Sequence, residues 1–173
     1  DEKVLIFSRY RVIQEILQRA LLHRFGKESL GLFSILNGQV EAGHRLEVVE
    51  RFNDDPHFDA LILSPEATGV GLTLTGACHV IHYTRVWNPA KEAQATDRAH
   101  RIGQTATVSV HRLISEGTLE ERVAEVLGQK RQLAGAVMGT GVDGWIGGLN
   151  DGELGELLRR QRPGGAASSE DAA

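Results

Sequence analysis

Lys3-Val-Leu-Ile-Phe-Ser8 is an unbroken apolar run of strand length. A strand buried on both faces, as in a parallel sheet, reads this way because neither face needs polar residues. Helical spacing follows at once. Val12, Ile13, Ile16, Leu17, Ala20, Leu21 and Leu22 recur up to Phe25, and Gly26 supplies the stop. The alternation then repeats. Leu32-Phe-Ser-Ile-Leu36 is a second strand closed by the turn signal Asn37-Gly38, and Leu46, Val48, Val49 and Phe52 mark a second helix that stops near Asn53-Asp-Asp-Pro56. Ala60-Leu-Ile-Leu-Ser64, His79-Val-Ile-His-Tyr83 and Val108-Ser-Val-His-Arg-Leu-Ile114 are the third, fourth and fifth strands. Thr118 and Glu121 form a capping box for a last helix that carries Leu119, Val123, Val126 and Leu127 to about Ala134. Strands alternating with helices over short connections predict an α/β fold, an open, mainly parallel sheet with helices on both faces. Ligands of such sheets sit beyond the carboxyl ends of the strands. Ser64, the Gly- and Thr-rich stretch 66–76 and the stretch 94–104 all follow strand ends, so they are expected to converge on one edge.

The composition bounds the partners. The chain has 173 residues, enough for one domain with a well-buried core. Its net charge of −4 provides no global basic field, so any contact with nucleic acid must come from a local patch. Aromatic content of 5% leaves few platforms for stacking bases. One Cys excludes an intramolecular disulfide and suggests a reducing compartment. No apolar run approaches the length of a membrane span. Asp1 leads straight into a strand-like segment, which suggests a fragment of a longer chain. After Ala134 the text changes. Residues 135–160 read as a Gly-rich connector, interrupted by Trp145 and Ile146, followed by an amphipathic segment with Leu154, Leu157 and Leu158. Residues 161–173 read as a disordered tail.

Gln94-Ala-Thr-Asp-Arg-Ala-His-Arg-Ile-Gly-Gln104 carries the strongest chemical pattern. On a helix, Gln94, Arg98 and Arg101 share one stripe, while Ala95, Ala99 and Ile102 form a small apolar stripe fit to dock on a sheet. Two Arg forks at this spacing suit a polyanion with several oxygens. The alternative is a solvated face with an Asp97–Arg101 ion pair. Spacing alone slightly favours the solvated face, and the rest of the chain has to decide. Thr68-Gly69-Val70-Gly71 could bring backbone N–H groups near an anion, but a structural turn is the commoner meaning of so short a pattern. No G-x-x-x-x-G-K-[ST] run occurs and no strand ends in an acidic pair, so the phosphate cradle and metal site of nucleotide hydrolysis are missing from this chain. His79 and His82 point to opposite faces of a strand, and no further ligands cluster near them or Cys78 in the sequence, so no metal site is expected. Arg9, Arg45 and Arg85 are candidate phosphate contacts, with simple solvation as the default.

Taken together, Ser64-Pro-Glu-Ala-Thr-Gly-Val-Gly-Leu-Thr-Leu-Thr, Trp87-Asn-Pro, the 94–104 stretch, Val110-His-Arg-Leu-Ile and Gly117-Thr-Leu-Glu-Glu-Arg resemble the second, C-terminal RecA-like lobe of Swi/Snf-type ATPases. These are superfamily-two, helicase-like DNA translocases. The resemblance runs from Lys3 to about Leu133, and the Gly/Trp connector and Leu-rich end resemble the bacterial branch. It implies a RecA-like lobe over residues 1–134. It implies motif IV at Lys3 to Arg9, motif IVa at Asn37, Gly38 and Arg45, motif V at Ser64 to Thr75 and motif VI at Gln94 to Gln104. Arg98 and Arg101 match the arginine fingers, with Gly69, Gly71 and Gln94 also on the nucleotide side. Arg9, Asn37, Gly38, Arg45, Ser64, Thr68 and Trp87 fall on the DNA side. The implied cofactor is ATP with Mg2+, held mainly by an N-terminal lobe absent from this chain, and the implied partners are that lobe, double-stranded DNA and a protein or nucleoprotein cargo, with no membrane. The lobe alone is expected to be inactive, and its place is the bacterial cytoplasm and nucleoid, or the nucleus in a eukaryote. The chain departs from the usual pattern at Glu66, often Lys, at Thr68, usually Gly, and at Thr73, often Asn. The reading from another class is a non-catalytic interaction module that keeps the fold and docks a partner through Leu154 to Leu158.

Overall fold

Five short strands lie side by side in the computed structural model, in the order β2-β3-β1-β4-β5, and every pairing is parallel. They are β1 (Val4–Phe7), β2 (Ile35–Leu36), β3 (Ala60–Leu63), β4 (His79–His82) and β5 (Ser109–Arg112). The helices between them are α1 (Arg11–Phe25), α2 (Ala42–Asp54) and α3 (Pro89–Thr96). The structure describes residues 2–26, 32–66, 71–86, 89–118, 120, 121 and 124. The calls on Thr68, Gly69 and Trp87, and those on residues 125–173, lie outside the described residues.

The alternation of side chains across the strands builds two cores, because successive residues of a strand face opposite ways. Leu5, Phe7, Leu61, Leu63 and Val80 face one side, where Val48, Val49 and Phe52 of α2 and Ala95 and Ala99 of the α3 region pack. Ile6, Ala60 and Ile62 face the other, where Leu17, Leu21 and Leu22 of α1 pack with Phe33 and Phe58. Helices thus cover both faces, as the continuous apolar strands predict. The helical stripes are narrower than the spacing suggests. Val12 and Ile16 of α1 and Leu46 of α2 stand exposed on the solvent side.

The connection from β3 to β4 passes across β1, so the chain changes side of the central strand there. In open α/β sheets such a switch point opens a crevice at the carboxyl edge. Here the backbone ties that edge together. Ser8 N–H donates to Leu63 O at 2.9 Å, Ser64 N–H to Leu36 O at 3.0 Å and Tyr83 N–H to Phe7 O at 2.9 Å.

Residues 114–173 form a separate unit. Within it the capping pattern is shifted one residue from the predicted box. Gly117 N–H, not that of Thr118, donates to Glu121 Oε2 at 2.9 Å. Thr118 Oγ1 accepts from Glu120 N–H at 3.3 Å instead of from Glu121. Thr118 spends its own hydroxyl proton on Ser115 O at 2.7 Å.

Candidate functional site

The stretch 94–104 is only partly helical, which corrects the expected Arg stripe. α3 ends at Thr96. Beyond it the N–H of Arg98 donates to Ala95 O and that of Ala99 to Thr96 O, the i to i−3 bonds of a tightened last turn. Gln94 lies exposed on α3, and among the described residues no hydrogen bond joins it to either Arg. Ala95 and Ala99 are fully buried as predicted, but Ile102 is 99% exposed because the chain has left the helix before reaching it.

The two Arg residues instead lean on the segment that precedes Gly76. Arg101 Nη1 donates to Gly71 O at 3.0 Å and to Thr73 Oγ1 at 3.2 Å. Arg98 accepts Leu74 N–H on its carbonyl at 2.9 Å. Its side-chain Nε is buried with no hydrogen-bond partner among the described residues. A buried guanidinium N–H left unmade costs about 1–3 kcal/mol, so a partner reaching it would be stabilising. The Asp97–Arg101 ion pair does not form among the described residues, since Arg101 is turned toward Gly71. Gly71 itself has φ +50°, in the left-handed region that Gly enters at no steric cost.

Gln104, which the sequence marked only as the end of a pattern, locks this arrangement. Its Nε2 donates to Thr75 O at 3.0 Å and Ala77 O at 2.8 Å, and lies 3.2 Å from Ala99 O. Its Oε1 accepts Ala106 N–H at 2.8 Å. Asn53 of α2 holds the same segment from the other side, donating to Thr73 O and accepting Gly76 N–H.

A buried charge cluster secures α3 on the sheet. Arg85 was expected to be a phosphate contact or solvated, and it is neither. Its side chain is almost fully buried and grips Glu92 in the first turn of α3. Arg112 Nε on β5 stands 3.5 Å from the same carboxylate and His82 Nδ1 on β4 stands 4.0 Å from it. Thr96 Oγ1 donates to Glu92 O at 3.1 Å, so its oxygen must accept from His82 Nε2 at 3.0 Å, which places a proton on that nitrogen. Glu92 reads in the sequence as an ordinary helix-start acid, and nothing local reveals that Arg85 after β4 and Arg112 on β5 bring positive charge to it.

The described candidates for the DNA side, Arg9, Asn37, Gly38, Arg45 and Ser64, lie along the carboxyl edge. Asn37 follows β2, and its carbonyl accepts Arg45 Nη2 at 3.2 Å while its Oδ1 accepts Gln39 N–H at 3.0 Å, an Asx turn that presents Gly38. Buried Gln14 connects this turn to β1, donating to Ser8 O at 2.7 Å and accepting Asn37 Nδ2 at 3.2 Å. Arg9 N–H donates to Thr84 Oγ1 at 2.8 Å. Ser64 Oγ donates to Glu66 Oε2 at 2.7 Å, and Arg9 Nε lies 3.7 Å from Glu66 Oε1. The edge therefore carries the side chains of Arg9, Arg45 and Ser64 and one acid that competes for two of them.

Known proteins agree with this architecture. The helicase conserved C-terminal domain family matches residues 1–103. The putative ATP-dependent helicase/translocase YwqA of Bacillus subtilis is 42% identical over 158 residues, which is 91% of this chain and 16% of that protein. The TATA-binding protein-associated factor mot1 of Aspergillus fumigatus is 42% identical over 136 residues, 79% of this chain and 7% of that protein. The chain thus spans a small part of the relatives it matches. The SWI2/SNF2 ATPase core domain of Sulfolobus solfataricus superposes with a TM-score of 0.70 at 35% identity, over 93% of this chain and 32% of that one. The same core in complex with dsDNA gives a TM-score of 0.67 at 32% identity. The parallel sheet, the edge built from the ends of β1, β2 and β3, and the Arg-bearing turn after α3 are those of a RecA-like lobe, and the chain belongs to the helicase conserved C-terminal domain family, among the Snf2-type ATPases.

Proposed function

We propose that this chain is the second lobe of an ATP-dependent duplex-DNA translocase, and that Arg98 and Arg101 complete an ATPase site whose phosphate loop and Mg2+ ligands belong to a first lobe. The observation that carries the proposal is the contact of Arg101 with Gly71 and Thr73, which joins the Arg-bearing turn to the strand-following Gly segment at one edge. The kinship with an ATP-dependent helicase/translocase and the likeness to a core seen with dsDNA support it.

ATP with Mg2+ supplies the transferable phosphoryl group. The Arg donors of this chain suit a nucleotide's phosphates, since Arg98 keeps a buried N–H with no partner among the described residues, while the cradle and acidic pair that the sequence lacks would come from the first lobe. Arg98 and Arg101 bring positive charge to the γ-phosphate when the lobes close, stabilising the charge that develops there. Gln94, Gly69 and Gly71 are assigned to the same nucleotide role. Arg9, Asn37, Gly38, Arg45, Ser64, Thr68 and Trp87 are assigned to the DNA backbone, and contacts to phosphate position the protein without reading sequence. Closure and opening then move one DNA-binding edge against the other. The lobe is assigned residues 1–134, of which 1–113 make one compact unit, and residues 135–160 are assigned to an extension.

The test is Arg101→Ala and Arg98→Ala in the full-length protein. DNA-stimulated ATP hydrolysis should fall by about 10³–10⁵ with folding retained, the range for loss of an arginine finger. Hydrolysis near the wild-type rate in both variants refutes the role. The isolated chain should not hydrolyse ATP.

A further inference from the structure

The amino ends of β1, β4 and β5 carry a cluster at the edge opposite Arg98 and Arg101. Lys3 O accepts two successive N–H groups, from Cys78 and from His79, each at 3.2 Å. The His79 bond belongs to the regular parallel ladder, in which His79 pairs with Val4, and the Cys78 bond adds to it just before β4 begins. Cys78 precedes the paired strand, so the alternation of β4 does not hold it on the face opposite His79. His79 Nε2 lies 2.9 Å from Glu2 Oε2. One ligand atom each from Glu2, Cys78 and His79 falls within 4.8 Å of the others, which corrects the expectation that nothing clusters near His79. His111 pairs with Ile81 in the next strand and so shares the face of His79, and the two ring centroids are 5.7 Å apart. Glu2, His79 and His111 line an open pocket of about 660 Å³.

We propose that Glu2, Cys78 and His79, with His111 as fourth donor, bind a divalent transition metal of the zinc class. Thiolate, imidazole and carboxylate are zinc's donor set, whereas Ca2+ and Mg2+ take oxygen donors alone. Bonds of about 2.0–2.3 Å in a tetrahedron place the ligand atoms roughly 3.3–3.8 Å apart. Side-chain rotation contracts the present group to that spacing, since the Glu2 side chain is exposed and His79 reaches solvent. Binding replaces the Cys78 S–H proton by the metal and releases it to solvent, so affinity rises with pH. The ion would bridge the entry to β1, the start of β4 and the middle of β5, bracing the sheet away from the nucleotide edge. This inference stands independently of the ATPase reading.

The experiment is a cobalt(II) titration of the metal-stripped full-length protein, followed by absorption, with zinc as competitor. One equivalent should give a thiolate-to-cobalt charge-transfer band that zinc abolishes. Cys78→Ser should remove the band. His79→Ala and Glu2→Gln, which alter solvent-reaching side chains, should each weaken cobalt binding by about 10-fold or more. His57→Ala, at a surface imidazole next to Asp55, should change nothing. A band of unchanged strength in Cys78→Ser, equal affinity in all variants, or no band in the wild type overturns the proposal.

Discussion

Arg85 and Glu92 hold each other through two parallel contacts, Nε to Oε1 at 2.9 Å and Nη2 to Oε2 at 3.1 Å, with the carboxylate fully buried. Arg85 lies between β4 and α3, and Glu92 lies in the first turn of α3, so the pair fixes the helix that leads into Arg98 and Arg101. A bidentate geometry also fixes direction, which a lysine in place of Arg85 would not.

Removing one partner of a buried pair leaves the other charge uncompensated, at a cost of about 3–5 kcal/mol. Glu92→Ala should therefore lower the unfolding free energy from denaturant titration by that amount, because it strands Arg85 and removes the acid facing Arg112. Combining it with Arg85→Ala should recover part of the loss. An additive double variant shows that the two side chains are not coupled.

Glu66 engages both Arg9 and Ser64, the two side chains that the proposed function assigns to DNA phosphate. An exposed ion pair is worth only about 0–1 kcal/mol, so Glu66→Gln in the full-length protein should tighten duplex DNA binding by roughly two- to fivefold at low salt. The gain should shrink as salt screens it. Fluorescence anisotropy across a salt series reads both effects, and unchanged or weaker binding at low salt contradicts the competition.

Gly76 leaves little room for a side chain. A Cβ built there meets Asn53 Cα at 3.0 Å and Phe52 O at 3.2 Å, both backbone atoms that cannot swing away. Gly76→Ala should destabilise the fold by about 1–3 kcal/mol through overpacking. Asn53 straps the 73–76 segment, so the same change should also disturb the Arg101 contact with Thr73. Thermal unfolding checks the first outcome, and wild-type stability denies the close approach.

Burial lowers the pKa of Lys3 from its ordinary 10.5, and the carboxylates of Asp55, Asp59 and Asp54 oppose the shift only in part. Nζ donates to Phe52 O and stands 5.0 Å from the centre of the Phe52 ring. Between the lowered folded pKa and 10.5 the unfolded chain binds more protons, so Lys3 makes stability rise with pH in that window. The difference in unfolding free energy between the wild type and Lys3→Met should be flat near neutrality and move in favour of the wild type toward pH 10.5. A pH-independent difference shows that the amine titrates alike in both states.

The alternation of Leu5 and Phe7 with Val4 and Ile6, and the helical recurrence of Leu17, Leu21 and Leu22, were legible in the chain because burial dictates residue type at a period of two in strands and 3.6 in helices. Those periods determined a parallel sheet with helices on both faces, and with it the edge where Asn37, Ser64 and Arg101 belong. Tertiary structure decided what periodicity does not encode. Arg101 turns to Gly71 because α3 ends at Thr96, and Ile102 loses its place on the core for the same reason. Arg85 and Arg112 reach Glu92, and Cys78 joins Glu2 and His79, only because parallel pairing brings distant strands into register. Contacts between residues far apart in the chain depend on which strands are neighbours, and no local pattern of residues specifies that partner.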